Sequence, residues 1–391
     1  MDNITETIAE RVAQDSKLPG ILHILSRQLQ PTDLQSLLLS VYEQRAQRLS
    51  ARDVLRRARQ QPMVQASTLD QRTIVALDQM ILAAIDPAFE AVELSPLCPF
   101  GLNTVVASTS QKKILSTVRN NEVLSDLGTA LALEACNRRT RVSVSVKDDI
   151  RLCSSHRAVR AQAYPAHFGF TAHFRIFGML SANKQNSFNH GFVSTALCEH
   201  IHQYLLIFGS ASRQGYHIAD LTVTISDMTI TEALMDKHKV DRKSVCARTL
   251  TGQGRLFDDN APFATTLESI DQLPLDLQRH YGIIHQSKRL ARIAEPMLKR
   301  LACEFPHVRV QFALDRISGI GHYKDICFKI DGANAAGQSF PLVDGGTTNW
   351  MEKLLANRQE RCFVSGVGSE LFCRLYRARP VQSSTPNRRC A

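Results

Sequence analysis

The chain has 391 residues, of which 44% are hydrophobic and 21% charged, so it is long enough for two or three domains with a large core. It has no apolar run of membrane-spanning length and no signal-peptide pattern, which argues against a membrane or secreted protein. The ten cysteines stand singly without metal-site spacing, as is typical of reduced thiols in the cytoplasm. The net charge of +10 is compatible with phosphorylated or nucleic-acid partners.

Residues 1–86 are predicted to form a helical N-terminal region, because apolar residues recur at helical spacing after residues that favour helix starts. Within this region, segment 50–60 is strongly basic and carries Arg52, Arg56, Arg57 and Arg59. This face can meet a phosphate backbone or can simply be solvated, and the sequence leaves both interpretations open.

Strand patterns follow in the middle of the chain. Phe89–Pro96 is a predicted strand, and Ile150–Gln162 and His173–Leu180 form a predicted strand–loop–strand unit. Residues 228–303 are predicted to be a largely helical insertion.

The C-terminal part is punctuated by glycines. Val308–Leu314 and Ile326–Ile330 are predicted strands joined by a turn at Gly319 and Gly321. Glycines of this kind let a backbone approach a ligand closely. The remaining predicted elements are a loop at Asp344–Gly346, a helix at Asn349–Leu355, a strand at Cys362–Val367, a helix at Glu370–Tyr376 and a disordered polar tail at 380–391.

The order and spacing of these segments resemble the catalytic core of class II aminoacyl-tRNA synthetases, above all histidyl-tRNA synthetase and the related regulatory subunit of ATP phosphoribosyltransferase. Ser318–Tyr323 is similar to the family's Arg-Gly-Leu-Asp-Tyr-Tyr turn, Gly345–Asn349 to its Gly-Gly-Arg-Tyr-Asp loop, and Gly368–Phe372 to its Gly-x-Glu-Arg-Leu junction. The resemblance implies an α+β core over residues 87–379, with an antiparallel sheet flanked by helices. The similarity of Phe89–Pro96 to motif 1 of the family implies a homodimer.

The resemblance also implies a site that uses ATP and Mg²⁺. The strand–loop–strand unit resembles motif 2 of the family, in which an arginine holds the α-phosphate with its planar donors, so Arg160 would be catalytic. Arg316 would also be catalytic, and Asp344 or Glu370 would hold the metal. Arg160, Glu370 and Arg374 would bind the nucleotide. The implied substrate-binding residues are Glu134, Gln162, His173, Tyr323, Gly345 and Gly346.

Several positions depart from the family pattern. Leu371 stands where the family has the arginine that holds the γ-phosphate, and Ser318 stands where it has the arginine of the turn. Arg374 and Arg316 lie at nearby offsets and are expected to replace them. The pocket is expected to be more apolar than one for histidine, because the family's polar substrate ligands are replaced by Ile176 and Leu180.

Two functions follow from the resemblance, and the sequence leaves open whether the chain is an enzyme. The first is an ATP-dependent adenylate-forming ligase that activates an amino acid or another small carboxylate outside translation, with a protein, an RNA or a small molecule as acceptor. The alternative is a catalytically silent paralogue that serves as a regulatory or small-molecule-binding subunit. We do not expect tRNA charging for translation, because no anticodon-binding domain follows the core.

Overall fold

The computed structural model describes residues 2–141, 149–162, 171–185, 190–242, 244–245, 248, 254–257, 263 and 266–377. Over these residues, a mixed eight-stranded sheet forms the centre of the molecule and helices cover both of its faces. Most of the loop between the two strands of the predicted strand–loop–strand unit lies outside the described residues, as does the predicted polar tail at 380–391.

Helices precede the sheet, as the sequence predicts. They are α1 (Asp2–Asp15), α2 (Ile21–His23), α3 (Pro31–Gln47), α4 (Ala51–Gln60) and α5 (Gln71–Ala84). Helix α5 is part of the core, because it buries an apolar stripe that includes Leu77 and Ile81. Helices α2, α3 and α4 bury no side chain.

Ten strands follow in the described part of the chain. They are β1 (Glu90–Ala91), β2 (Leu97–Pro99), β3 (Asn121–Val123), β4 (Ile150–Val159), β5 (His173–Lys184), β6 (Ala219–Asp227), β7 (Arg309–Phe312), β8 (Ile326–Ala333), β9 (Ser339–Thr348) and β10 (Glu360–Val367). The main sheet has the order β1-β4-β5-β10-β9-β8-β6-β7, and β2 pairs with β3 separately. The predicted antiparallel sheet is confirmed for the six central strands, whereas the edge pairs β1–β4 and β6–β7 are parallel.

The helices of the core are α6 (Leu102–Ala107), α7 (Leu127–Arg141), α8 (Gly191–Arg213), α9 (Met228–Lys237), α10 (Leu275–Tyr281), α11 (Ile284–Glu304), α12 (Trp350–Leu354) and α13 (Ser369–Tyr376). Side chains alternate between the two faces along each strand, and this alternation divides the core. Phe177 and Met179 of β5 pack with α5, α8 and α11, whereas Leu180 and Ala182 pack with α6, α7 and α12. No helix in the described part of the chain combines the length and apolar composition of a membrane span.

Two local predictions are wrong. The predicted strands at 308–314 and 326–330 exist as β7 and β8, but they are not neighbours, because β6 lies between them. The predicted loop at Asp344–Gly346 is part of strand β9. A glycine-rich stretch is ambiguous in sequence, because glycine is as useful in a crowded strand as in a turn.

Candidate functional site

A cavity of about 580 Å³ opens on the face of the sheet at β5, β9 and β10. Its floor includes Gly178 of β5 and Gly366 of β10, which lie directly opposite each other in the register. Because neither residue has a side chain, the cavity reaches down to the backbone of both strands. A β-carbon at Gly178 would also lie 3.1 Å from the side chain of Leu127, so the first residue of α7 packs directly against this glycine.

Arg160 lies at the edge of this cavity, just after β4. Its Nε donates to the Ser125 carbonyl oxygen at 2.9 Å, and its Nη2 lies 3.4 Å from Oδ2 of Asp126. The guanidinium also stacks over the ring of Phe174, with 5.3 Å between its carbon and the ring centroid. These contacts orient the side chain, and its 35% exposure leaves part of the guanidinium accessible to a ligand. Gln162 lines the same wall.

Tyr323 and Asp344 line another wall of the cavity, and Arg316 lies behind Asp344. Arg316 is almost completely buried, and its Nη2 lies 2.6 Å from Oδ1 of Asp344. Burial alone lowers the pKa of Arg316, but the negative charge of Asp344 outweighs this and raises it, so the guanidinium stays charged. Burial and the neighbouring Asp344 carboxylate raise the pKa of Tyr323, so its hydroxyl stays neutral.

Asp344 separates the cavity from Arg316. Its side chain is 51% exposed and lines the cavity, whereas that of Arg316 is only 4% exposed and does not. Arg316 also donates through Nε to the carbonyl and hydroxyl oxygens of Ser318, and its buried Nη1 has no hydrogen-bond partner. A ligand in the cavity therefore meets the carboxylate of Asp344 before it meets the guanidinium.

The charged side chains of the lining balance each other. The cations among the lining residues are Lys113 and Arg160, and the anions are Asp126 and Asp344. Most of the remaining lining is apolar or small. Gln162 and His322 are its larger polar members, and Trp350, Tyr323 and Phe174 supply the largest side chains. Such a lining suits a small molecule that carries one positive and one negative group on an apolar body.

Glu370 and Arg374 lie outside this lining, although both were predicted to bind nucleotide. Glu370 is 1% exposed, and its Oε1 accepts from Ser67 at 2.5 Å and from Arg374 at 2.9 Å. Its Oε2 lies 2.9 Å from Nη1 of Arg157. We call Ser67, Arg157, Glu370 and Arg374 the Glu370 cluster. It fastens the segment before α5 to helix α13, and so the predicted nucleotide and metal roles of Glu370 and Arg374 have no geometric support.

Electrostatics explain why Glu370 is ionised although it is buried. Burial alone raises the pKa of this carboxyl, but the hydrogen bonds from Ser67 and Arg374 and the charge of Arg157 together hold it below the ordinary value. The carboxylate thus has several positive or donating neighbours and no free face for a metal ion. Asp344, the other predicted metal ligand, is bound to Arg316 on the other side of the fold. The two carboxylates cannot form one Mg²⁺ site.

Four further predicted substrate residues are also placed elsewhere. His173 precedes Phe174 on β5 and so points to the opposite face, where it meets Gln65 and Arg157. Glu134 on α7 pairs with Arg138 at 2.9 Å and does not line the cavity.

The other two are the strand glycines Gly345 and Gly346. A β-carbon at Gly345 would lie 2.5 Å from Ser365, and one at Gly346 would lie 2.7 Å from Cys327. These two glycines let neighbouring strands pack and do not contact the cavity. Leu180 is fully buried and does not line it either.

The structure adds site residues that our sequence analysis missed. Asp126 precedes α7, and its Oδ1 accepts from the backbone N–H of Thr129 at 3.2 Å. An aspartate before a helical pattern is a recognisable helix-start signal, so its position could have been predicted. Phe174 could also have been predicted, because it lies on the same face of β5 as Ile176 and Gly178, which line the cavity. Lys113 lies in a short 3₁₀ turn, and no sequence signal marks it as part of a site.

No family model and no curated protein matches this sequence. Solved structures do match. An ATP phosphoribosyltransferase regulatory subunit/histidyl-tRNA synthetase from Bacillus halodurans C has 16% identity and a TM-score of 0.55, with 82% of this chain and 83% of that chain covered. A histidine–tRNA ligase subunit from Alicyclobacillus acidocaldarius has 15% identity and a TM-score of 0.56, with 80% and 95% covered.

A third structure, histidyl-tRNA synthetase from Nostoc sp. PCC 7120, has 11% identity and a TM-score of 0.52, with 78% of this chain and 70% of that chain covered. At such identities the similarity is one of fold. It agrees with the central antiparallel strands, with the helices on both faces and with the strand–loop–strand unit that carries Arg160. This chain therefore has a class II synthetase-like fold.

Proposed function

We propose that this protein binds a small zwitterion, an amino acid or a related amino-carboxylate, in the cavity and does not activate it with ATP. The proposal corresponds to the silent, small-molecule-binding alternative from the sequence. The observation that carries it is the charge balance of the lining, which contains the cations Lys113 and Arg160 and the anions Asp126 and Asp344. A ligand with one ammonium and one carboxylate group matches that balance.

The carboxylate of the ligand would bind at Arg160. Its guanidinium is oriented by Ser125, Asp126 and Phe174 and still has accessible hydrogen-bond donors. The ammonium group would bind at Asp344, whose second carboxylate oxygen is not used by Arg316. Apolar groups of the ligand would pack on Ile176, because this strand offers no polar side chain there.

A triphosphate fits the same cavity poorly. Catalysis of phosphate chemistry depends on cations placed on the phosphate oxygens. Arg374 is held in the Glu370 cluster, and Asp344 separates Arg316 from the cavity. Among the described residues, no group of three or more His, Cys, Asp or Glu side chains is arranged to hold a metal ion. The residues that the resemblance assigned to Mg²⁺ do not fit it, and we derive no step through a metal.

The experiment is a calorimetric titration of the full chain with single amino acids in the absence of ATP. We expect at least one amino acid to bind, and Arg160→Ala to weaken this binding by roughly ten- to hundredfold, because charged hydrogen bonds contribute about 1.5–3 kcal/mol. Arg309→Ala is the matched control, since Arg309 is exposed on edge strand β7. No binding of any amino acid, or equal binding by both variants, contradicts the proposal.

The adenylate-forming ligase is the second candidate, and one observation favours it. The Nη1 of Arg316 is buried without a hydrogen-bond partner beside the cavity wall, and such a group commonly has a functional role. Exchange of labelled pyrophosphate into ATP that depends on an amino acid would establish this activity.

A further inference from the structure

Helix α4 and the end of α3 form an arginine-rich surface away from the cavity. Residues 44–60 contain six arginines and a single acidic residue, Asp53. The net charge of this segment is therefore +5, which is half of the +10 of the whole chain. We define the arginine surface by its members Arg45, Arg48, Arg52, Arg56, Arg57 and Arg59. All six are exposed.

Helix α4 is formed without any contribution from the core, since it buries no side chain. Its start is held by a reciprocal cap, in which Ser50 Oγ accepts from the backbone N–H of Asp53 at 3.2 Å and Asp53 Oδ2 accepts from that of Ser50 at 3.1 Å. Asp53 also pairs with Arg56 at 2.6 Å. The only acid of the segment is thus used to start the helix and does not neutralise the remaining arginines.

The arginines are arranged along the helix. Arg52, Arg56 and Arg59 have the spacing i, i+4, i+7 and share one face of α4. Over seven residues they extend for about 10 Å, at roughly 1.5 Å per residue. A nucleic-acid strand carries one phosphate at every nucleotide, so more than one phosphate falls within this length. The face can therefore contact successive phosphates of one strand.

An exposed aromatic ring accompanies Arg45 on the neighbouring helix α3. Tyr42 on α3 is 60% exposed and lies three residues before Arg45, so the two residues share one side of that helix. Basic residues beside an exposed aromatic ring form the usual surface for a single strand, because the ring can stack with an unpaired base. A membrane is a poorer match. The only large apolar side chains of α4 are Val54 and Leu55, and a membrane-bound helix needs a broad apolar stripe.

We propose that the arginine surface binds single-stranded nucleic acid, with phosphates on Arg52, Arg56 and Arg59 and a base on Tyr42. The contacts involve the backbone charge and the flat faces of the bases, so RNA and DNA strands of one sequence bind with similar affinity. This function is independent of the ligand in the cavity, and either can exist without the other.

The test measures fluorescence anisotropy of a labelled 20-nucleotide RNA, and of the matching DNA, with the full chain at several KCl concentrations. The test variant combines Arg52→Gln, Arg56→Gln and Arg59→Gln. The control combines Arg279→Gln, Arg292→Gln and Lys299→Gln, which removes the same charge from exposed positions on α10 and α11. We expect the test variant to bind at least tenfold more weakly at 100 mM KCl, and its log–log salt slope to be lower by about 2, at roughly 0.7 per phosphate contact.

A second variant examines the aromatic contact. Tyr42→Ser should weaken binding about tenfold, whereas Tyr42→Phe should retain it, because stacking needs the ring and not the hydroxyl. Tyr42 is exposed on α3, so both variants should keep the melting temperature of the wild type. Equal affinity of the test and control triple variants overturns the proposal. So does tighter binding of duplexes than of single strands, or complete competition by polyglutamate, which would indicate an acidic protein as partner.

Discussion

Oδ1 of Asp344 lies 2.6 Å from Nη2 of Arg316, and this ion pair determines the charge that a ligand meets on one wall of the cavity. With the pair intact, the exposed partner is the carboxylate and the buried partner is the guanidinium. The wall therefore attracts a cationic group. If the arginine were the exposed partner and the carboxylate the buried one, the same wall would instead attract phosphate.

Replacement of Asp344 tests this arrangement. In Asp344→Asn the wall loses its negative charge and Arg316 loses its ionic partner, so we expect amino acids to bind at least tenfold more weakly. A ligand that has the carboxylate but lacks the ammonium group should lose little affinity. Calorimetry with both ligands measures the difference, and Asp276→Asn on the exposed surface of α10 is the control. Equal losses for both ligands would show that Asp344 does not contact the ammonium group.

The glycines of the sheet should respond differently to substitution. A β-carbon at Gly345 would lie 2.5 Å from Ser365 and 2.6 Å from Phe328, so Gly345→Ala should destabilise the fold by about 1–3 kcal/mol or more. The nearest atom to a β-carbon at Gly366 is 3.5 Å away, so Gly366→Ala should fold normally. Because Gly366 lines the floor, its variant should bind ligand more weakly. Urea unfolding and ligand titration separate the two effects, and the reverse pattern would refute our assignment of the floor.

The fold was predictable from sequence to a larger extent than the site. Periodic apolar patterns identify β4, β5, β8 and β10 because strand burial repeats every second residue. Arg160 could be predicted because it belongs to a strand–loop–strand unit whose resemblance to the synthetase family already assigns an arginine to the site. Glu370 and Arg374 could not be placed, because their orientation depends on Ser67, about 300 residues earlier in the chain.

The parallel edge strands illustrate the same limit. A sequence pattern reports that β7 is a strand, but the partner of β7 is β6, and 81 residues separate the end of β6 from the start of β7. Gly345 and Gly346 were assigned to a ligand because glycine permits close approach, and the neighbour that approaches is another strand. Only the three-dimensional packing distinguishes these two uses of glycine.

The Glu370 cluster should make stability sensitive to acid. The pKa of Glu370 in the folded protein lies below its ordinary value of 4.5, so the stabilisation by its charge is complete above pH 4.5 and is lost as the pH falls through the folded value. Glu370→Gln should lower the free energy of unfolding by roughly 3 kcal/mol at neutral pH. The difference from the wild type should shrink below pH 4.5.

Limited proteolysis provides an independent readout of this cluster. Ser67 and Arg374 tie the segment before α5 to α13, so Glu370→Gln should increase cleavage between residues 61 and 68. Glu295→Gln removes an exposed acid of α11 and serves as the control. Identical cleavage of wild type and Glu370→Gln would show that the segment is held by other contacts.

His200 should contribute a second pH dependence, at higher pH. It is completely buried between Ser181 and Ser365, at 3.0 and 2.6 Å, and burial lowers its pKa to about 3. Between pH 6.5 and 3 the unfolded chain binds a proton that the folded chain does not, so the free energy of unfolding falls as the pH is lowered. His200→Gln should reduce this slope in thermal unfolding, whereas His217→Gln on the surface should not. A slope that is unchanged in His200→Gln would mean that His200 is protonated in the folded protein.

The most direct test of the central claim is pyrophosphate exchange, measured with pooled amino acids, ATP and Mg²⁺ on protein that has been shown to bind an amino acid by calorimetry. We predict binding without exchange, because the cavity matches a zwitterion and its arginines are not arranged for a triphosphate. Exchange that depends on the bound amino acid and disappears in Arg160→Ala would contradict the account and establish a ligase.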